Sequence, residues 1–90
     1  MTPADRPFLP RGVRLHQDRV RGVPVLLGPE TALMLDPVGQ AVLAEVDGRR
    51  DIAAISEALA ERYAAPVEMI QSDVIEFLDD MAARRLVEVA

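Results

Sequence analysis

One histidine, two serines and a run of carboxylates are the side chains of this 90-residue chain that could do chemistry, and their spacing does not set them up for it. His16 lies in VRLHQD, where Val13, Leu15 and Gln17 alternate with Arg14, His16 and Asp18. That pattern places the imidazole on the polar exterior of a strand, where a lone histidine is usually just solvated. The chain has no cysteine, so neither a Cys/His zinc site nor a thiol nucleophile can form. Ser56 and Ser72 fall inside helical stretches without a histidine nearby. Asp73, Glu76, Asp79 and Asp80 fall largely on the polar face of a helix and read as a solvated charge run. The five glycines are scattered, which excludes a phosphate-cradling loop. The expectation is a protein with no catalytic residues, metal site or cofactor of its own, and so not an enzyme.

Binding is therefore the function to look for, and the elements decide where it happens. The period changes inside TALMLDPVGQAVLAEVDG, residues 31–48. Ala32 to Leu35 form a short apolar run suited to a strand, while Val38, Val42 and Val46, with Leu43, follow a helix face. Asp36 is a good N-cap, Pro37 fits the first helical position, and Gly48 supplies a left-handed stop. Upstream, residues 1–10 carry three prolines and read as a flexible arm poor in ladder amides. Residues 13–18 and 20–28 read as two strands, with Pro24 pushing part of the second to an edge or bulge. Gly28-Pro29-Glu30 turns the chain into the third strand, Thr31 to Leu35. Downstream, Asp51 caps a second helix with the stripe Ile52, Ile55, Leu59 and Tyr63. Pro66 begins a third helix running to about Arg84, and residues 86–89 suit a short final strand. The fold class is α+β: three short antiparallel strands, then three helices and a short C-terminal strand.

Composition bounds the rest. Ninety residues make one domain, and half of them are apolar, so a packed core is expected. No apolar run approaches the roughly 18 residues of a membrane span, and the first residues lack the pattern of a secretion signal. A cytoplasmic protein without membrane contact is the default. The net charge of −5 divides into +3 over residues 1–28 and −8 over the remainder. All ten cations are arginine, a pattern that codon bias explains as readily as two contact surfaces.

The third helix has more apolar circumference than one contact needs. Phe77, Ile70, Met81, Val74, Val67, Leu78, Ala82 and Ile75 spread over about 160°, against a stripe somewhat above 100° for a helix packed on one core. The excess fits either a helix packed on several sides or a groove that accepts a partner. A carrier protein would need an exposed serine before a helix, which neither serine provides. A winged-helix DNA-binding regulator is the alternative reading. Against it, the third helix is acidic, the wrong sign for phosphate, so no nucleic acid is expected.

Four stretches together resemble a known family: VRLHQDRVRG, LLGPE, LMLDPVGQAVLAEVDG and SDVIEFLDDMAARRLVEV. In that order and spacing, from Arg11 onward, the chain is similar to the PqqD family of pyrroloquinoline quinone biosynthesis and the wider peptide-recognition domains of ribosomal peptide modification. Two positions depart from the pattern. Gly39 stands where a better helix former is expected, and Arg85 replaces the usual glycine before the last Leu-Val. The resemblance implies a winged-helix-like domain over residues 11–90, acting as a non-catalytic peptide chaperone. Its partners would be the PqqA precursor peptide and the radical SAM enzyme PqqE, which alone carries the clusters and SAM. The residues supply a candidate site, because an open strand beside an over-apolar helix is a receptor for an extended peptide. The strand would contribute Thr31, Ala32, Leu33, Met34 and Leu35, with Leu33 and Leu35 inward and Ala32 and Met34 outward. The helix would contribute Ile75, Leu78 and Ala82 as the groove floor, with Asp79 on its rim. The same open edge could serve a homodimer, as could exchange of N-terminal strands, and a monomer fits equally well.

Overall fold

Two aspartates start the helical half of the chain. In the computed structural model, which describes residues 1–90, α1 (Pro37–Ala44) and α2 (Ile52–Tyr63) each follow an aspartate that caps an amide of the first turn. Asp36 Oδ1 accepts from Gly39 N–H at 2.7 Å, and Asp51 Oδ1 accepts from Ala54 N–H at 2.8 Å. Such caps contribute about 1 kcal/mol each. α3 (Val67–Ala83) follows Pro66 without a side-chain cap. The strands are β1 (Pro7–Phe8), β2 (Arg14–Asp18), β3 (Val23–Leu27), β4 (Ala32–Met34) and, after α3, β5 (Glu88–Val89).

β2, β3 and β4 form an antiparallel sheet with β3 in the centre. The expected edge or bulge at Pro24 is not there, because the β2–β3 register runs unbroken from Asp18↔Val23 to Arg14↔Leu27. A proline is tolerated in the central strand because its missing N–H falls opposite Leu35, beyond the last residue of β4. Leu35 still donates its own amide to the Pro24 carbonyl at 2.9 Å. Leu26, Leu43, Ile52, Ile55 and Leu78 are at most 1% exposed and make the centre of the core between sheet and helices. Val38 does not join them: it is 65 % exposed, and α1 buries Gly39, Ala41, Val42 and Leu43 instead.

The ends of α1 and α3 use partners the sequence pattern did not reveal. α1 stops at Ala44, well before Gly48, and the Arg50 guanidinium donates to the Glu45 carbonyl at 2.8 Å. Arg50 also bridges the Glu45 and Asp47 carboxylates at 2.8 and 3.1 Å. Asp47 Oδ1 accepts the backbone amides of Arg49 and Arg50, both at 2.9 Å. These bonds, the Arg50 amide first, hold the Asp47 carboxyl at about 2. After α3, Leu86 N–H donates to the Met81 carbonyl and Arg85 N–H to the Ala82 carbonyl, both at 2.9 Å. This Schellman arrangement requires a left-handed residue, and Arg85 supplies it with φ of 62°. A glycine would normally stand there, which accounts for the departure noted at this position.

Residues 1–10, expected to be a flexible arm, are bonded along their length. Proline lacks the donor but keeps the carbonyl, and the segment works as a row of acceptors. The Pro3 and Asp5 carbonyls take the Ala53 and Ile52 amides at the start of α2, each at 2.9 Å. The Pro7 carbonyl accepts from Gly48 and the Arg6 carbonyl from Ala90, also at 2.9 Å. β1 then pairs with β5 as a separate two-stranded sheet, so the closing strand does not extend the larger one.

Two outcomes follow from these ends. Arg85→Gly should raise stability by about 1 kcal/mol by relieving a left-handed side chain, as read from chemical denaturation. Asp47, with its folded pKa below the unfolded 3.8, contributes stability that is complete above that value and is lost as pH falls toward 2. Asp47→Asn should therefore flatten the fall in stability over that interval, as read from melting curves across acid pH.

Candidate functional site

Antiparallel strands alternate between residues that bond their neighbour and residues that turn away from it. Leu35 N–H donates to the Pro24 carbonyl at 2.9 Å, and Gly28 N–H to the Thr31 carbonyl at 2.8 Å. Thr31, Leu33 and Leu35 thus bond inward to β3. Ala32 and Met34 turn their amides and carbonyls to the outer side of β4, where no strand lies. The side chains alternate as the pattern requires: Leu35 is buried and Leu33 half-buried, while Ala32 and Met34 are exposed. Met34 is 59 % exposed, with the Arg21 guanidinium 3.8 Å from its sulfur. Thr31 is exposed at the end of the strand.

The helix half of the expected groove is arranged differently. Leu78 has no exposed surface and belongs to the core, so it cannot be a groove floor. Ile75, Asp79 and Ala82, at i, i+4 and i+7, share the flank turned toward the N-terminal segment. The chain's ammonium lies 2.6 Å from Asp79 Oδ1, and the Met1 side chain packs against the core. Ala82 borders a hollow with Pro10, Arg11 and Val13. The opposite flank, Ile70, Asp73 and Phe77, is the one left open. With Val38 and Val42 of α1 and Tyr63 of α2, it lines an apolar pocket of about 190 Å³ whose only charged residue is Asp73.

Gly39 ties that flank to the strand. A Cβ on this residue would lie 3.2 Å from two carbons of the Phe77 ring and 3.2 Å from Asp36 Oδ1. The glycine that weakens α1 on paper lets Phe77 pack against the first turn, three residues after the cap that ends the strand region. The pocket, the first turn of α1 and the end of β4 are therefore contiguous. Nothing within α3 itself distinguishes the two flanks of the apolar stripe. Gly39 was the signal, since a helical glycine often marks a close approach.

The electrostatics of the region are acidic. Asp73, Glu76 and Asp80 are exposed around Phe77. Their exposed carboxylates repel phosphate, against docking α3 on a nucleic acid. No group of three or more His, Cys, Asp or Glu is arranged to hold a metal ion. Ser56 Oγ is buried without a hydrogen-bond partner, and the only histidine, His16, sits on β2 in the sheet. No helix is long and apolar enough to cross a membrane.

Known proteins share both the sequence and this architecture. The family model for "Coenzyme PQQ synthesis protein D (PqqD)" matches residues 25–87. A Rhizobium meliloti protein named PqqA binding protein is 44% identical over 81 residues, covering 90% of this chain and 83% of its own. The solution structure of the PqqD part of Methylobacterium extorquens PqqCD, described as a stand-alone recognition element for ribosomally made, modified peptides, superposes with a TM-score of 0.84 at 41% identity. That match covers 97% of this chain and 93% of the other. TbiB1, solved in complex with the TbiA(beta) leader peptide, has the same fold, with a TM-score of 0.76 at 22% identity over 90% of this chain and 94% of its own. The three-stranded sheet followed by three helices is the winged-helix-like fold of these recognition elements, and the chain belongs to the PqqD family of coenzyme PQQ synthesis proteins.

Proposed function

We propose that this chain binds the PqqA precursor peptide as an added strand on β4 and presents it to the radical SAM enzyme PqqE, performing no chemistry itself. The observation that carries the reading is the outward row of Ala32 and Met34 main-chain groups, in a strand that leads directly into the helix lining an apolar pocket. Strand addition draws affinity from such unpaired groups and register from neighbouring side-chain pockets. Four new main-chain bonds at about 1 kcal/mol each, with one or two side chains seated against Phe77 and Val38, place binding between micromolar and nanomolar. The names of the similar proteins support the ligand and a role in binding. On this reading Thr31, Leu33 and Leu35 hold the strand to the sheet while Ala32 and Met34 meet the peptide. Phe77 and Val38 take over the part assigned to Ile75, Leu78 and Ala82.

Titration of labelled PqqA tests this. Met34→Pro removes an outward donor without touching the β3 ladder, and Val38→Asp places a charge at the pocket mouth on an exposed residue. Each should weaken binding tenfold or more, about 1.4 kcal/mol, while Asp79→Ala on the opposite flank leaves it unchanged. If both variants keep the parent's circular dichroism and its affinity, the site is elsewhere. Binding of a mixed DNA pool in place of the peptide would favour the regulator reading.

A further inference from the structure

β3 breaks the alternation that an antiparallel sheet with one wet face keeps. Toward the helices, Leu15, Leu26 and Leu33 stand in register across the three strands and belong to the core or pack against it. On the other face β2 is polar, with Arg14, His16 and Asp18. Their neighbours are not. Val23, Val25 and Leu27 of β3, with Ala32 and Met34 of β4, line up beside them. None of these five joins the core cluster or packs against it. Val25 sits low between His16 and Met34, Val23 and Leu27 are half-buried, and Ala32 and Met34 are exposed. VPVLL is thus apolar on both faces, the pattern of a strand covered on both sides, and this chain covers only one.

The rim of this face is basic, in a chain whose net charge is −5. Arg14 is exposed and in no salt bridge, and the Arg21 guanidinium lies 3.8 Å from the Met34 sulfur. The one acid here, Asp18, is engaged in the hairpin turn, where its Oδ1 accepts the Val20 and Arg21 amides at 3.0 and 3.2 Å. An apolar centre with a charged rim is the anatomy of a protein interface. An acidic partner surface is repelled by most of this chain and steered to this face. The face is also continuous with the β4 edge. Side chains alternate along a strand, so a peptide added beside β4 sends every second side chain onto this face, next to Ala32 and Met34. A protein covering the face therefore touches the bound peptide without competing for the β4 main chain.

On the reading that PqqA is presented to PqqE, we propose that the enzyme docks on the outer face of the sheet. The contact centres on Val23, Val25, Leu27 and Met34, with Arg14 and Arg21 on its rim. The matching surface of the enzyme is apolar with carboxylates around it. Edge and face then divide the work: β4 holds the peptide, and the face beside it holds the protein that acts on the peptide.

Titration of PqqE into the chain, with and without saturating PqqA, tests this. Arg14→Glu and His16→Glu each put a carboxylate at an exposed position of the face. Each should weaken PqqE binding about tenfold or more and leave PqqA affinity within about twofold. Arg49→Glu makes the same charge change as Arg14→Glu at an exposed position between α1 and α2, and should alter neither. In the unaltered chain, the methyl resonances of Val23, Val25 and Leu27 should shift when PqqE is added, a readout that no variant's folding can disturb. The proposal is overturned if both folded variants bind PqqE like the parent, or if Arg49→Glu weakens binding equally. It is also overturned if those methyl signals stay in place, if PqqA at saturation expels PqqE, or if the PqqA-loaded chain does not bind PqqE. All of these leave peptide binding on β4 standing. A chain that binds PqqE through Arg14 and His16 but takes up no PqqA would instead remove the peptide reading and keep the docking face.

Discussion

Leu35 enters the core at 8 % exposure, and the next residue, Asp36, already caps α1. The chain thus passes from ladder bonding to helix bonding across one peptide unit, with Pro37 in the first position where no donor is needed. The tightness of that junction governs the site. Because α1 starts where the strand ends, its first turn lies at the end of β4. Because Gly39 has no side chain, the Phe77 ring can close against that turn, 3.2 Å from where a Cβ would sit. A longer linker would let strand and helix move independently, and a bulkier residue would push α3 away. The open edge and the apolar pocket are held together by this one contact chain.

A second constraint is the supply of hydrogen-bond acceptors. The start of α2 exposes amides that Asp51 alone cannot satisfy, and the carbonyls of Pro3 and Asp5 complete them. The proline-rich segment can do this without needing donors of its own. In crossing the molecule it also comes against one flank of α3. The wide apolar stripe is thereby divided, one side turned to the chain's own N-terminal segment and the other left facing α1 and α2. Of the two explanations offered for its width, packing on several sides accounts for one flank, while the other borders an open pocket.

Much of this was legible in the sequence where local chemistry decides the outcome. The caps at Asp36 and Asp51, the break near Pro66 and the inward–outward alternation of Leu33, Leu35, Ala32 and Met34 all depend on residues within a few positions of each other. What could not be read depends on distant partners. Ile75, Asp79 and Ala82 are indistinguishable from Ile70, Asp73 and Phe77 on a helical wheel, and only the N-terminal segment separates them. Pro24 looked incompatible with a central strand until the register showed that its missing donor falls opposite Leu35, past the end of β4. Arg50, which caps α1 from beyond Gly48, carries no pattern that marks it as a cap.

The central claim is that the peptide bonds to the main chain of Ala32 and Met34. Amide hydrogen exchange, resolved by residue with and without saturating PqqA, addresses it most directly. The account requires the Ala32 and Met34 amides, unpaired in the free protein, to become strongly protected, with much smaller changes at Leu33 and Leu35, already paired to β3. Protection appearing at Leu15 and Gln17, or a bound peptide that leaves Ala32 and Met34 exchanging as freely as before, would contradict it.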